Sequence, residues 1–156
     1  MNRQYQHNFS DKIESVESMY DAEARIKKAK KTLAVLFDYL EKTSDLRLLD
    51  IGSSTGIMTN EYSKYFGDVI GIDLDLKAVD FANSKFKNNN LKFINSPIEE
   101  VNFENSTFDI ITCSHIYEHV PSDKVLIDKI YSLLKPGGIC YFCLLYTSDA
   151  ADDSLR

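Results

Sequence analysis

The chain has 156 residues, of which 44% are hydrophobic and 27% are charged, and its net charge at neutral pH is −6. This length and composition predict one globular domain with an apolar core, and the acidity argues against a general nucleic-acid-binding surface. No apolar run approaches the roughly 20 residues of a membrane-spanning helix, and residues 1–10 are too polar for a secretion signal, so we expect a cytoplasmic protein.

Two helices are predicted ahead of residue 45. Ser10 and Asp11, followed by Glu14, resemble a capping box that begins the first. Asp21 can cap the second, which ends near Lys42 and whose apolar residues recur at steps of three and four: Ala22, Ile26, Ala29, Leu33, Leu36 and Leu40. Its basic residues are interpreted as a solvated helix face rather than a binding patch: Lys27, Lys28, Lys30 and Lys31.

From residue 46 onward, short apolar runs alternate with amphipathic segments. The runs predict buried strands at Leu46–Ile51, Asp68–Ile72, Leu91–Ile94, Phe108–Cys113 and Ile139–Phe142. Helices are predicted at about Ile57–Phe66, at Leu76–Phe86, and after Ser122, the last carrying Val125, Ile127, Ile130, Leu133 and Leu134. Lys135–Gly138 is predicted to be a turn. The alternation predicts an α/β fold with a parallel sheet and right-handed crossovers.

A glycine-bearing turn, Gly52–Gly56, connects the first predicted strand to a helix. Such a turn lets a ligand approach the backbone, and the start of the helix adds amide groups. Asp73 ends the next strand, 21 residues after Gly52, where a carboxylate can accept hydrogen bonds from both ribose hydroxyls. Both features fall at the carboxyl ends of strands, which predicts a nucleoside-binding site, although the turn alone can also be purely structural.

The turn departs from the dinucleotide-binding fingerprint G-x-G-x-x-G. Ser54 stands at its second glycine and Ile57 at its third, so a pyrophosphate would be poorly accommodated. A ligand with a ribose and no phosphate fits this pattern better. A nicotinamide-dependent oxidoreductase remains the alternative enzyme class.

Four segments together resemble one family in order and spacing: LLDIGSSTG, VIGIDLD, FDIITCSHIYEHV and LLKPGG. They resemble the class I S-adenosylmethionine-dependent methyltransferases, and most of all the ubiquinone- and menaquinone-biosynthesis subgroup, over about Leu46–Phe142. The resemblance implies a Rossmann-like three-layer sandwich with strand order 3-2-1-4-5, lacking the last two strands of the family. It also implies methyl transfer from S-adenosylmethionine to a small-molecule acceptor, with O-methylation favoured over C- or N-methylation.

The resemblance also implies roles for individual residues. Asp50, Gly52 and Gly56 would surround the methionine part of the cofactor, Asp73 would hold the ribose, and Leu74 would pack on the adenine. The remaining predicted cofactor-binding residues are Ser53, Ser54, Ser96, Ile98 and Ser114.

Two positions depart from the family pattern. Ser54 replaces a glycine in the first motif, and Pro97 stands where the family often has an aspartate that contacts the adenine amino group. Proline offers neither a side-chain acceptor nor an N–H. The adenine contact is therefore expected from Ser96, the backbone of Ile98, or Glu99.

His115, Glu118 and His119 follow the fourth predicted strand at spacings that share one face of a helix. We name these three residues as catalytic candidates, with three interpretations open: a local structural element, a general acid–base group acting on an acceptor hydroxyl, or ligands of a divalent metal. Some quinone-pathway O-methyltransferases of the resembling family use a Glu-x-x-Glu-His metal motif here, with His115 at its first Glu. Tyr20 and Arg25 are expected either to close over the cofactor carboxylate or to be ordinary helix-surface residues.

The segment Cys143–Asp153 reads CLLYTSDAADD, which resembles a translated transposon-end sequencing adapter. We therefore expect residues 143–156 to be a foreign tail, after N-terminal helices at 1–44 and an incomplete cofactor-binding domain at 45–142. A fragment that binds the cofactor without turnover is a further alternative, and the oligomeric state is left open. Cys113 and Cys140 are interpreted as small buried strand residues, because the cysteines show no disulfide or metal spacing.

Overall fold

A computed structural model describes residues 20–114 and 122–143 of the chain. The helix predicted near Ser10, the catalytic candidates at positions 115, 118 and 119, and all but the first residue of the expected tail lie outside these ranges. None of the described helices is long and apolar enough to cross a membrane.

The described residues form four helices and five strands that alternate along the chain. They are α1 (Ala22–Phe37), β1 (Arg47–Ile51), α2 (Ile57–Tyr62), β2 (Asp68–Asp73), α3 (Leu76–Lys85), β3 (Leu91–Asn95), β4 (Phe108–Ser114), α4 (Asp123–Leu133) and β5 (Leu134–Cys143).

The five strands form one sheet with the order β3-β2-β1-β4-β5, and every pair in it is parallel. The predicted parallel α/β sheet and its order are therefore confirmed. Because the chain order reverses between β1 and β4, the carboxyl ends of these strands flank a crevice of the kind that binds ligands in open α/β sheets.

Apolar side chains cover both faces of the sheet, which is why its strands are nearly continuous apolar runs. One face packs against α4 through a cluster that includes Leu49, Ile72, Phe108, Ile111, Leu126, Ile130 and Leu133. The other packs against α1, α2 and α3 through Ala29, Leu33, Leu36, Leu48, Tyr62, Val69, Val79 and Ala82. Neighbouring residues of β1 point to opposite clusters, so the molecule has the three predicted layers.

The start of α1 is as predicted, but its end is not. The carboxylate of Asp21 accepts a hydrogen bond from the amide of Ala24 at 3.0 Å and caps the helix. The helix ends at Phe37 rather than near Lys42. Leu40 lies in the segment after the helix and still packs against the core. Its position therefore fits the apolar period of the helix although the helix has already ended. The four lysines of α1 are exposed, as expected for a solvated face.

The buried residues of α4 are only partly those that were predicted. Leu126, Ile130 and Leu133 are buried at helical spacing, whereas Val125 and Ile127 are each 45% exposed. Leu134, predicted in the helix, begins β5. The sequence contains apolar residues on both sides of Leu126, so periodicity alone allowed more than one face.

The predicted turn at Lys135–Gly138 lies within the bounds of β5, which also starts five residues earlier than expected. The pairing of β5 with β4 shifts register between Phe108 and Ile110, and Gly137 has a φ of +80°. The lysine and glycines therefore form an irregularity at the start of the strand rather than a separate turn.

Gly56 precedes α2 and closes the turn that follows β1. Its φ is +74°, and a Cβ placed there would lie 2.5 Å from the ring of Phe93 and 2.8 Å from the Cβ of Ala82. Both a left-handed backbone and a lack of space therefore require glycine at this position. The ring of Phe93 and the methyl group of Ala82 pack the turn against β3 and α3.

We predict that Leu126→Ala lowers the free energy of unfolding by about 2–5 kcal/mol, because it leaves a cavity in the core. Ile127→Ala, its neighbour on the half-exposed side of α4, should lower this free energy by less than about 1 kcal/mol. Urea denaturation of both variants checks the prediction. Equal losses would contradict the packing of α4 through Leu126.

We also predict that Gly56→Ala lowers the free energy of unfolding by about 2–5 kcal/mol, from left-handed strain and the clash with Phe93 together. Gly137 is the matched control, since its φ is +80° but nothing lies within 4 Å of a Cβ there. Gly137→Ala should therefore show only the strain, about 1–2 kcal/mol. Thermal unfolding of the two variants separates the effects, and equal losses would exclude the clash.

Candidate functional site

The predicted nucleoside-binding residues come together where β1 and β2 end. The amides of Gly52 and Ser53 donate to the carbonyl of Ile72, at 2.8 and 3.0 Å. The amide of Ser54 donates to Oδ2 of Asp73 at 2.7 Å. The turn after β1 is thus fastened to the last residues of β2, and Asp73 is part of the fastening.

Most amides of the turn are used within the protein. Those of Gly52, Ser53 and Ser54 donate as described, and the amide of Gly56 donates to the carbonyl of Ser53 at 2.9 Å. A phosphate-binding turn instead directs such amides at its ligand. The geometry therefore fits a ligand that approaches the turn without a phosphate group.

Ser54, which stands where the family pattern has a glycine, has a backbone conformation that favours glycine. Its φ is +50°, in the left-handed region that non-glycine residues rarely adopt. Such strain concentrates at functional sites, at a cost of order 1–3 kcal/mol. The hydroxyl oxygens of Ser53 and Ser54 are both buried and have no hydrogen-bond partner among the described residues. The side chain of Ser53 packs against Gly71 of β2. Buried hydroxyls normally find a partner, so the hydroxyl of Ser54 is the one that fits a polar ligand at the turn.

Asp73 is half-buried at the carboxyl end of β2. Burial raises the pKa of this carboxyl, and hydrogen bonds from the amides of Asp75 and Ser54 oppose the rise. The amide of Asp75 donates to Oδ1 at 2.8 Å, and the backbone of Leu74 also bonds to this carboxylate. A carboxylate offers about four lone-pair sites, so this fixed group can still accept hydrogen bonds from a ligand.

Asp50 lies deeper in the same site, at the end of β1. Only 5% of it is exposed, and its two oxygens accept hydrogen bonds from two buried threonines. The hydroxyl of Thr59 donates to Oδ2 at 2.6 Å, and that of Thr112 donates to Oδ1 at 2.7 Å. Burial raises the pKa of Asp50 to about 6, against the effect of both hydroxyls.

Arg25 brings a positive charge from α1 to these two carboxylates. Burial lowers the pKa of its guanidinium, while the charges of Asp50, Asp73 and Asp21 raise it. The side chain is half-buried beside the site, so it is not an ordinary surface residue of the helix. Tyr20 packs its ring edge-on against Phe81 of α3, with 4.8 Å between centroids.

The segment after β3 joins the site through its backbone. The amide of Ser96 donates to the carbonyl of Asp73 at 3.1 Å. The side chain of Ile98 is buried in the core, so only its backbone faces away from the apolar cluster. One carboxylate oxygen of Glu99, Oε2, is buried with no hydrogen-bond partner among the described residues. Leu74 and Ser114 are half-buried at the ends of β2 and β4.

The structure adds two threonines to the predicted site, and it brings in Arg25, whose role the sequence left open. Thr59, Thr112 and Arg25 all act on Asp50, the two threonines by hydrogen bonds and the arginine by charge. The sequence carried no signal for the two threonines, because they are 9 and 62 residues from Asp50 and on different elements. Arg25 was already a candidate from the sequence, with a position on the helix surface as its alternative.

Metal and thiol chemistry find no support in the part of the chain that is described. No group of three or more His, Cys, Asp or Glu residues within it could hold a metal ion. Cys113 is buried, and burial raises the pKa of the Cys140 thiol to about 11. His115, Glu118 and His119 lie outside these residues, and their roles stay predictions.

Comparison with known proteins places this site in a family. A family model described as a methyltransferase domain matches residues 49–142. The ubiquinone biosynthesis O-methyltransferase of Psychrobacter cryohalolentis is 30% identical over 110 residues, which cover 64% of this chain and 43% of that protein.

Two solved structures have the same fold. The YcgJ protein of Bacillus subtilis superposes with a TM-score of 0.68 and 25% identity, over 80% of this chain and 55% of that one. Phosphoethanolamine N-methyltransferase 2 of Haemonchus contortus, solved with phosphomonomethylethanolamine and S-adenosylhomocysteine, gives a TM-score of 0.67 and 24% identity, over 80% and 31% of the two chains. The chain spans about half the length or less of these three proteins.

The family match runs from the middle of β1 to the end of β5, so it includes the turn, Asp50 and Asp73. The sheet order and the site geometry agree with it. The chain belongs to the class I S-adenosylmethionine-dependent methyltransferase family.

Proposed function

We propose that the protein transfers a methyl group from S-adenosylmethionine to a small-molecule acceptor, with an oxygen atom as the favoured acceptor. The observation that carries the proposal is the hydrogen bond from the Gly52–Gly56 turn to Asp73, which holds a carboxylate able to accept ribose hydroxyls next to the unpaired hydroxyl of Ser54. S-adenosylmethionine has a ribose and no phosphate, as this site requires.

The amino acid end of the cofactor would lie near Asp50 and Arg25. That end carries an ammonium and a carboxylate, and the site offers one buried carboxylate and one half-buried guanidinium close together. Opposite charges in partly buried surroundings attract more strongly than in water. Arg25 would hold the carboxylate and Asp50 the ammonium, while Gly52 and Gly56 allow close approach to the backbone.

The nucleoside end would be held by the ends of β2 and β3. Asp73 would accept the ribose hydroxyls, and Leu74 would pack on the adenine. Ser96, the backbone of Ile98, and Glu99 are candidates for the adenine contact. Glu99 is favoured among them, because its buried and unpaired oxygen Oε2 is the acceptor that an amino group needs.

The sulfonium of S-adenosylmethionine supplies an activated methyl group, so the protein is left with binding and alignment. Holding two reactants in line replaces a bimolecular encounter by a reaction within one complex. The fixed carboxylates of Asp50 and Asp73 would align the cofactor, which is one of the two reactants. The acceptor would approach from beyond the ends of β4 and β5.

An oxygen acceptor also has to lose a proton. We propose His115, Glu118 and His119, which follow β4 in the sequence, as the groups that take it or that bind a divalent metal beside it. O-methylation is supported by the relative from Psychrobacter cryohalolentis, whose name describes an O-methyltransferase.

Two other functions remain as alternatives. A nicotinamide-dependent oxidoreductase would have to place a pyrophosphate against a turn whose amides are already donating to protein oxygens. A protein that binds the cofactor without turnover would share the site described here. Acceptor turnover separates this last alternative from the proposal.

Binding measurements with S-adenosylhomocysteine and NAD test the proposal. We expect the chain to bind S-adenosylhomocysteine in preference to NAD, and Asp73→Ala to weaken that binding by about 1.5–3 kcal/mol, the range for a charge-assisted hydrogen bond. Isothermal titration calorimetry on both proteins measures the two effects.

Asp80→Ala is the matched control, because Asp80 is exposed on α3 and its removal should leave the affinity unchanged. Tighter binding of NAD than of S-adenosylhomocysteine would overturn the proposed cofactor. An unchanged dissociation constant for Asp73→Ala would reject the ribose-binding role alone.

The metal alternative predicts that a chelator abolishes methyl transfer and that Mg²⁺ restores it. General acid–base catalysis predicts full resistance to the chelator, together with loss of turnover in His119→Gln at unchanged cofactor affinity. Methyl transfer from radiolabelled cofactor to a panel of catechols and phenols measures both. If Glu118→Ala and His119→Gln only lower the melting temperature, the three residues are a structural element.

A further inference from the structure

We propose that Thr59 and Thr112 are positioning residues that clamp the Asp50 carboxylate and direct it at the cationic amino acid end of the bound cofactor. The inference rests on the proposed function, because it assigns Asp50 a partner in that cofactor. It adds two residues that never touch the cofactor themselves.

The clamp consists of three buried side chains from three different elements. Asp50 is the last residue but one of β1, Thr59 lies in α2 and Thr112 lies in β4, and both threonines are 0% exposed. Each hydroxyl donates to a different oxygen of the carboxylate, at 2.6 Å to Oδ2 and 2.7 Å to Oδ1. Two short bonds on opposite oxygens prevent the carboxylate from rotating about χ2. Its remaining lone pairs therefore keep one direction.

Only one of these contacts follows from local geometry. The bond from Thr59 spans 9 residues and places the first turn of α2 against the end of β1. The bond from Thr112 crosses the β1–β4 pair, at the point where the strand order reverses. Asp50 is thus held on both sides of the crevice that the reversal creates.

The charges around Asp50 explain why the clamp matters. Burial and the charge of Asp73 on β2 raise the pKa of Asp50 to about 6, against the lowering effect of the two hydroxyls and of Arg25 on α1. From α2, Tyr62 also faces Asp50, and burial raises the pKa of this phenol so that it stays neutral. From β4, the contact described for Asp50 is the neutral hydroxyl of Thr112.

Removing one hydroxyl should therefore raise the pKa of Asp50, because its charged form loses a hydrogen bond. A rise of about one unit brings it to near 7, where half of the carboxylate is protonated at neutral pH. Removing both hydroxyls should raise it by about two units. A protonated Asp50 cannot pair with an ammonium, so cofactor affinity at pH 7 should fall and should recover at higher pH.

Thr112→Val and Thr59→Val, singly and together, test the clamp, since valine keeps the volume of threonine without the hydroxyl. Carbon-13 NMR of the Asp50 carboxyl in the free protein should show a titration midpoint near pH 6 for the wild type and about one unit higher in each single variant. Calorimetry with S-adenosylhomocysteine should show about twofold weaker binding at pH 7 for the single variants and about tenfold for the double variant. Near pH 9 the affinity should return to that of the wild type.

Ser63→Ala is the matched control, because Ser63 is buried directly after α2 and its hydroxyl donates to the carbonyl of Asn60 rather than to Asp50. It should leave the Asp50 midpoint unchanged. Asp50→Asn should bind weakly at every pH, without recovery. If the midpoint in Thr112→Val and Thr59→Val equals that of the wild type, the two threonines only stabilise the fold and the inference is wrong.

A shifted midpoint with no pH-dependent loss of affinity would also overturn the inference, since Asp50 would then not pair with the cofactor. If the wild type fails to bind S-adenosylhomocysteine at all, the proposed function fails, and so does the cofactor-directed part of the clamp. The NMR titration of the free protein then still decides whether the threonines control the ionisation of Asp50.

Discussion

The hydrogen bond from the amide of Ser54 to the carboxylate of Asp73 links the two strands on which the whole site depends. Together with the amides of Gly52 and Ser53, which donate to the carbonyl of Ile72, it joins the turn after β1 to the end of β2. A carboxylate that receives two backbone amides has one orientation. The bond therefore shapes the turn and, at the same time, presents Asp73 to a ligand.

Ser54, whose amide makes this hydrogen bond, shows how the protein holds a strained backbone in place. The turn needs a left-handed residue at position 54, and Ser54 adopts that backbone at φ +50° although glycine would do so without strain. The bond to Asp73 and the packing of Gly56 against Phe93 hold the strained backbone from both ends. Strained residues persist in folded proteins when the surrounding contacts fix their conformation.

Two buried carboxylates close together would repel each other without a compensating charge. Arg25 provides that charge, and it comes from α1, outside the segment that matches the methyltransferase family model. The N-terminal helix is thus part of the site and not only a cover for the sheet. The methyltransferase fold is shared by proteins with O- and N-methyltransferase names. The fold therefore leaves the acceptor open, and the acceptor depends on residues beyond the cofactor crevice.

The sequence by itself determined the order of the strands and helices, the glycine-bearing turn, and the place of Asp73. These features depend on local pattern: apolar runs, glycines and a carboxylate at a strand end, all read along the chain without knowing what lies opposite. Their positions held to within a few residues, except at the end of α1 and the start of β5. Asp21 and Ser122, as helix caps, were predictable for the same reason, since each acts on an amide three residues away.

Only the tertiary structure decided the contacts between distant residues. Apolar residues at 125, 126, 127 and 130 allow α4 to pack through different faces, and the sheet selected the face of Leu126. The clamp on Asp50 requires Thr112, which is 62 residues away. A side-chain hydrogen bond between two parallel strands has no periodic pattern in the sequence that could predict it. The sequence left two roles open for Arg25, and only the packing of α1 on the sheet brought its charge to Asp50 and Asp73. Charge pairing and hydrogen bonding act through space, so they follow from the fold and not from the pattern that predicts it.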